Sequence, residues 1–297
     1  MKFKYPTRWR YACSAISALL MILSVALISC RGLNLGLDFT GGVVSEIRVD
    51  SHLRDTTIRP ILQQAYGQDI HLIAAGEPGR WVLRYPVPAA NATPPQIAQV
   101  LAPLHTNVEL LNTSIVGPQV GAELAEQGGL ALVVAVVCIL GYLSFRFEWR
   151  LASGALLALV HDVIFVVAFF AATQMEFNLT VLAAVLAILG YSLNDSIIIA
   201  DRIRELLIAK PDIPLPHINN MAIAATFSRT MVTSGTTLLT VAALWLMGGE
   251  PLRGFSIAMF IGILTGTFSS ISVGTSVPEW LGLSSEHYRS QVLPQQP

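Results

Sequence analysis

The sequence predicts an α-helical polytopic membrane protein, with six transmembrane helices and a small α+β, ferredoxin-like domain set between the first and second of them. Three observations carry this. Hydrophobic residues make up 53% of the 297 and charged residues only 12%, far too apolar for an ordinary soluble domain. Six runs approach the roughly 20 apolar residues that a bilayer demands. Between the first two runs lies a polar stretch, Arg31 to Gln127, long enough for a domain of its own.

The first run, Tyr11 to Cys30, follows a basic start and is expected to remain as a membrane helix. Leu27-Ile-Ser-Cys30 also has the form of a bacterial lipoprotein processing site, whose use would remove that span. Five further spans already anchor the chain, so a lipid at Cys30 adds little and retention is the preferred reading. In the polar stretch, Val43 to Val49 alternates as a half-buried strand does, and Thr56 to Tyr66 has helical spacing through Ile58, Leu62 and Ala65 before Gly67. Ile70 to Ala74 and Trp81 to Val87, joined by Gly76-Glu-Pro-Gly79, read as a hairpin. Pro94-Pro95 opens a second short helix through Ile97, Val100 and Leu101, and Val108 to Ile115 completes the pattern. The order βαββαβ is that of a split-βαβ, ferredoxin-like fold. With no metal spacing, nucleophile elbow or phosphate loop in it, binding or mechanical work is expected rather than catalysis. The remaining spans follow at Gly128 to Phe145, Leu151 to Ala172, Leu179 to Ala200, Thr230 to Met247 and Gly254 to Val277.

Basic residues in short segments set the orientation, because translocation of positive charge is disfavoured. Lys2, Lys4, Arg8, Arg10, Arg146, Arg150, Arg202, Arg204, Lys210, Arg229 and Arg289 fall on one side. Gln174 to Asn178 has no basic residue, and Gly248 to Arg253 has only Arg253. Both termini are therefore expected in the cytoplasm with the soluble domain outside. The chain then divides into residues 1–30 (N-terminus and first span), 31–127 (outer domain), 128–277 (spans two to six) and 278–297 (cytoplasmic tail). Cys13, Cys30 and Cys138 sit in or at the ends of apolar spans and make no disulfide framework. A net charge of -1 gives no reason to expect nucleic-acid binding.

Asp195 lies within the apolar stretch Leu179 to Ala200. A carboxylate at membrane depth costs a few kcal/mol on insertion scales, so it is by default an ion-pathway or relay group. Residues three and four apart share a helical face, which aligns Asp195 with Tyr191 and Ser192, and Asn194 stands beside it. At about 1.5 Å of rise per residue, Asp195 is roughly 24 Å from the outer end of its helix and Arg229 roughly 28 Å from the outer end of its own. That similar depth lets Arg229 approach Asp195, while Thr233, Thr236 and Thr237 continue its face with hydroxyls able to solvate an ion. A static Asp195 to Arg229 bridge that only fixes helix packing is the alternative.

Asp162 is a second membrane carboxyl, placed by the same counting deeper than Asp195, and serves either as a further relay step or as a hydrogen-bonded packing group. His161 points in a different helical direction and reads as a satisfied core or interfacial residue, since a metal would need a second ligand. Ala258, Gly262, Gly266, Ser270 and Gly274 recur every four residues, a seam for close helix packing in lipid. Gly36 to Gly42 lacks the Lys-Ser/Thr ending and the following helix of a phosphate loop. Its glycines instead permit a tight path from the first span into the first strand, with Asp38 capping or bonding local backbone.

The motifs Gly36-Leu-Asp-Phe-Thr-Gly-Gly42, Val160-His-Asp-Val163, Gly190-Tyr-Ser-Leu-Asn-Asp-Ser196, Asp201-Arg-Ile-Arg-Glu205, Arg229-Thr-Met-Val-Thr-Ser-Gly-Thr-Thr237 and Gly248-Gly-Glu-Pro-Leu-Arg-Gly-Phe255 follow one another along nearly the whole chain. In them the chain resembles the SecF family, the smaller membrane subunits of the bacterial SecDF export complex within the RND superfamily. It departs at Lys210-Pro-Asp-Ile-Pro-Leu-Pro216, where similar proteins tend to be more basic. The resemblance implies a transport subunit rather than an enzyme. With SecD it would join the SecYEG channel and YajC in the lipid of the bacterial inner membrane, and use an H⁺ or Na⁺ gradient to draw an emerging polypeptide outward. No cofactor and no metal are implied, and the six spans are one half of a twelve-span arrangement. Asp195, Arg229, Asn194, Asp162 and Thr233 become the ion-coupling set. Gly36, Asp38, Phe39, Thr40, Gly41 and Gly42 become a periplasmic signature loop coupling the membrane part to the outer domain. Two rival readings stay open: an RND-like small-molecule efflux subunit, for which one compact outer domain leaves little room for an enclosed pocket, and a passive assembly scaffold without ion flux. Hydrolysis has no support, because no nucleophile is paired with a base.

Overall fold

The computed structural model describes residues 7–67, 70–75, 77–86 and 95–289. Six helices in it are long and apolar enough to cross a membrane: α1 (Thr7–Arg31), α5 (Pro118–Arg146), α6 (Trp149–Thr173), α7 (Leu179–Ala209), α8 (Leu215–Met247) and α9 (Glu250–Trp280). The chain is a multi-pass membrane protein. Several of these helices outrun the apolar stretches that announce them. α5 begins well ahead of Gly128 and α8 well ahead of Thr230, each with proline in its first turn, where the missing N–H would be unbonded in any case. Hydropathy marks where lipid lies, whereas a cap or a proline sets where the helix starts.

α6, α7 and α9 pack against one another at the centre, α8 lies on α7 and α9, and α1 on α6 and α9. α5 touches the bundle only lightly. α7 and α9 run parallel and in register, because glycines on α9 leave room for the larger side chains of α7. A methyl group at Gly262 would fall 2.4 Å from Ile188, and one at Gly266 would fall 3.2 Å from Ser192. The small-residue seam of the last span therefore packs against a helix of this chain. Val166, Phe170, Val181, Val185, Ile188 and Ile263 fill the core toward the soluble domain, and Leu151, Ile199, Ile203 and Ala222 fill it toward the opposite side.

The soluble domain comprises β1 (Gly42–Arg48), α3 (Asp55–Tyr66), β2 (His71–Ala74), β3 (Arg80–Tyr85), α4 (Ile97–Val100) and β4 (Glu109–Val116), preceded by the single turn α2 (Leu37–Thr40). The strands form one antiparallel sheet in the order β2-β3-β1-β4, the arrangement of a split-βαβ fold. Val43, Ser45 and Ile47 alternate inward along β1, and Ile58, Leu62, Leu83 and Leu101 are fully buried beneath the sheet. The expected hairpin residue Gly76, strand end Val87, helix opener Pro94 and basic residues Lys2 and Lys4 lie outside the described residues.

Candidate functional site

Both membrane carboxylates are buried within the bundle, about one helical turn apart in depth. Asp162 of α6 is 0% exposed. Its Oδ2 accepts hydrogen bonds from Ser192 of α7 (2.5 Å) and Ser269 of α9 (2.9 Å), and its Oδ1 lies 3.0 Å from His161 Nδ1. Gly266 makes this possible, since even a methyl there would sit 3.3 Å from the carboxylate. Asp195 lies on the same face of α7 as Ser192, one turn nearer the C-terminal end, so Asp162, bonded to Ser192, sits about one turn farther from that end than Asp195, in the sense that counting along α6 suggests. The Asp162 to Ser192 bond fixes the register of α6 against α7.

Asp195 is as buried, at 1% exposure, but poorly served. Its Oδ2 accepts one long hydrogen bond from Ser234 of α8 (3.4 Å), whose hydroxyl is also 2.9 Å from Thr267 of α9. Among the described residues its Oδ1 has no hydrogen-bond partner, and neither do the buried hydroxyls of Tyr191, Ser196 and Thr230. A buried polar atom without a partner costs free energy, so Asp195 is held at membrane depth at a cost that the well-bonded Asp162 does not bear.

Of the expected companions of Asp195, the structure turns Arg229 and Asn194 outward, and both are exposed on this chain. The inward stripe of α8 is Ile223, Thr226, Thr230 and Ser234. Arg229 stands one residue off that stripe, about 100° around the helix. It forms no ion pair with Asp195, whose single hydrogen bond comes from Ser234, so the static bridge is not present. Thr233 donates back to the carbonyls of Arg229 (3.0 Å) and Thr230 (3.1 Å) of its own helix, and Thr236 and Thr237 do likewise. Thr230, Ser234 and Thr267 hold the place that sequence reasoning gave to Thr233. The signal for the first two was the four-residue step from Thr230 to Ser234.

The glycine loop binds the soluble domain to the bundle. Asp38 does not bond local backbone as expected: its Oδ2 accepts the N–H of Leu179 at 2.9 Å, at the start of α7. Asn178 accepts the N–H of Val181 at 3.1 Å, so two side chains satisfy the first turn of α7 and a negative charge meets its positive end. Backbone bonds run from Gly36 N to Phe177 O (2.9 Å) and from Phe177 N to Asn34 O (2.7 Å), and the rings of Phe39 and Phe177 stack. Thr40 closes α2 by donating to Gly36 O. Gly41 and Gly42 take positive φ, 69° and 149°, which a side chain would resist. From α5, Gly121 comes so near that a methyl group would lie 2.8 Å from Gly41 N. An ion pair between Arg84 of β3 and Glu176 adds a direct link from sheet to bundle.

A six-helix bundle with buried carboxylates, tied by a glycine loop to a split-βαβ domain, defines a protein-export membrane protein of the SecD/SecF type. Residues 96–284 match the family described as protein export membrane protein SecD/SecF, C-terminal, and residues 30–51 match the SecD/SecF GG motif. The chain belongs to the SecF family of protein translocase subunits. It is 41% identical to the protein translocase subunit SecF of Escherichia coli O157:H7, over 96% of this chain and 90% of that one. With the SecF of Pseudomonas aeruginosa the identity is 39%, over 92% and 89%. The crystal structure of SecDF from Thermus thermophilus, a translocon-associated membrane protein, superposes with a TM-score of 0.82 at 32% identity, covering 95% of this chain and 39% of that one.

Proposed function

We propose that the chain is an ion-gradient-coupled accessory subunit of the Sec translocase, in which Asp195 takes up and releases the ion and α7 carries the resulting movement to the soluble domain. It works with SecD as the matching half-bundle and beside the SecYEG channel in the inner membrane, with both termini cytoplasmic and the soluble domain periplasmic. The observation that carries this is the buried Asp195 Oδ1 without a partner, one turn from a carboxylate that has three. An ion held at Asp195 would supply what the fold withholds. Each elementary charge moved across the membrane potential is worth about 2.3 kcal/mol per 100 mV, enough to shift a two-state equilibrium more than tenfold. Arg229, exposed beside the site, is placed to bias that equilibrium. The test is gradient-driven export into vesicles, run with wild type and Asp195→Asn, under H⁺ and Na⁺ gradients separately. The variant should insert and assemble but lose the gradient-stimulated part of export; wild-type stimulation would return the chain to a passive scaffold.

A further inference from the structure

α1 inverts the usual pattern of a buried helix face. Its buried residues are Arg10, Ser14 and Ser17, spaced to share one face, and each is bonded to another helix. Ser17 Oγ is 2.9 Å from His161 Nε2, Ser14 Oγ donates to Ser276 Oγ at 3.0 Å, and the Arg10 guanidinium pairs with Glu279. Polar bonds thus fasten α1 to α6 and α9. Beside them lies an apolar groove of about 160 Å³ between α1, α8 and α9. Trp9, Arg10 and Cys13 of α1, Ile223 of α8 and Phe268, Ile271 and Ser272 of α9 line it. Its buried polar members are already bonded. Arg10 gives its terminal nitrogens to Glu279 and the Thr275 carbonyl, and Ser272 donates to Phe268 O at 2.8 Å, so the groove offers hydrocarbon rather than hydrogen bonds.

Depth says what fills it. Trp9, Trp149 and Trp280 are exposed at the ends of α1, α6 and α9 that lie away from the soluble domain, forming the belt that tryptophan makes where lipid headgroups begin. The groove starts at Trp9 and reaches Phe268, which is about 18 Å along α9 from Trp280, close to the ~15 Å of hydrocarbon in one leaflet. A helix about 10 Å wide cannot enter a slot of about 160 Å³. A single acyl chain can, and a void left there would forfeit packing contacts on its walls. The groove also stands well round α8 from the face that carries Arg229, since Ile223 is about 120° from it on the helical wheel. Headgroup chemistry follows from the charges. Arg10, Arg146, Arg150 and Arg202 at this end are each bonded to a carboxylate, but Arg8, exposed in the first turn of α1 beside Trp9, has no such partner among the described residues. An unpaired guanidinium at headgroup level fits a phosphate, and best one whose charge the headgroup does not itself neutralise. We propose that this groove is a phospholipid site in the leaflet away from the soluble domain, holding one acyl chain of an acidic phospholipid whose headgroup lies at Arg8 and Trp9. The acyl chain fills the gap between α1 and α8, which touch only lightly.

The experiment reconstitutes the full chain with its partner half in phosphatidylcholine vesicles doped with phosphatidylglycerol that carries a diazirine on one acyl chain. The vesicles are irradiated without any ion gradient and the adducts mapped by peptide mass spectrometry. Adducts should concentrate on peptides holding Cys13, Ile223 and Phe268, above those on the exposed Val133 and Val137 of α5. Labelled phosphatidylglycerol should exceed equally labelled phosphatidylcholine in the groove by about fivefold, the worth of one basic residue at an anionic surface. Arg8→Gln should abolish that preference and keep the acyl adducts. Cys13→Phe, which puts a ring in the groove, should lose the groove adducts and leave those on α5 unchanged. Groove labelling no higher than on α5 means that bulk lipid or the partner half lies there, and overturns the site. Equal labelling by the two lipids, or an unchanged preference in Arg8→Gln, refutes the acidic headgroup and the proposal with it. Should Cys13→Phe fail to assemble, replacing phosphatidylcholine by unlabelled phosphatidylglycerol at constant label decides. Groove adducts should then fall while those on α5 hold, and a fall in neither or in both alike refutes a site. Since no gradient is applied, failure here leaves the ion-coupled reading above standing.

Discussion

Replacing Asp38 with alanine removes the charged group that accepts the Leu179 N–H at 2.9 Å. A hydrogen bond to a charged group contributes roughly 1.5–3 kcal/mol, and a negative charge at a helix N-terminus adds about 0.3–1 kcal/mol. The loop and α7 should therefore separate more easily by about 2–4 kcal/mol, a rise in local opening of roughly thirtyfold to a thousandfold at 1.36 kcal/mol per tenfold. Hydrogen exchange on the chain in lipid nanodiscs reads this directly, in peptides spanning residues 36–42 and 174–182. The donor can be removed as well. Leu179 is the first residue of α7 and Asn178 before it is extended, with φ -112° and ψ -178°, so Leu179→Pro deletes the N–H without breaking the helix. In Asp38→Ala with Leu179→Pro, the two penalties should fall short of their sum by about 2 kcal/mol or more, since both delete the same bond. Unchanged exchange around α2 in Asp38→Ala, or full additivity in the pair, would refute the reasoning.

Three further outcomes are expected. Gly154→Ala should lower the melting temperature in detergent, because its methyl would meet Gly274 O at 2.6 Å and Pro278 at 2.7 Å and overpacking costs about 1–3 kcal/mol; Gly141→Ala, with nothing within 4 Å, should be neutral or stabilising. Arg84→Ala and Glu176→Ala should each loosen the sheet from the bundle in the same exchange assay, and the charge-swapped pair should recover part of the loss, since both side chains are only 23% exposed. Arg229→Ala should leave the stability of the lone chain within about 0.5 kcal/mol, as for a surface change, while reducing gradient-driven export. A drop of several kcal/mol in thermal unfolding would mean that Arg229 is structural after all.

The soluble domain was legible because a half-buried strand writes its two faces into alternate residues, as at Val43, Ser45 and Ile47. Asp195 was legible because lipid makes any carboxylate conspicuous. Its neighbours were harder to read. α8 carries two polar stripes side by side, Arg229 with Thr233 and Thr236, and Thr226 with Thr230 and Ser234. Periodicity finds both equally well; packing against Asp195 and Thr267 chooses the second. Asp38 was misplaced for another reason, and His161, a satisfied core residue as expected, was read without its partner. Their partners, Leu179 and Ser17, lie 141 and 144 positions away, and no local pattern encodes a cap or a ring contact supplied from such a distance. Glycines behaved similarly, since the role of Gly121 depends wholly on Gly41 lying against it.

α7 holds the pieces of the proposed mechanism on one helix of 31 residues without an internal proline, about 46 Å long. Asp38 is fixed at its N-terminus, Ser192 and Asp195 lie in its middle, and Asp201 pairs with Arg146 at 2.6 Å toward its far end. A helix transmits tilt better than it absorbs it, so a change at Asp195 that shifts α7 against α8 and α9 must carry Leu179 with it. The loop from Gly36 to Gly42 then follows, being held to Leu179 by Asp38 and to Phe177 by its backbone. Ion movement and its mechanical use should therefore be separable by mutation along this one helix. Asp195→Asn should abolish ion flux and gradient-driven export together. Asp38→Ala should leave flux near the wild-type rate and lose export stimulation, because the ion site is intact and only the attachment has failed. Measuring both quantities on the same proteoliposomes decides it: if Asp38→Ala loses flux in proportion to export, the loop belongs to the ion path and α7 is not the link.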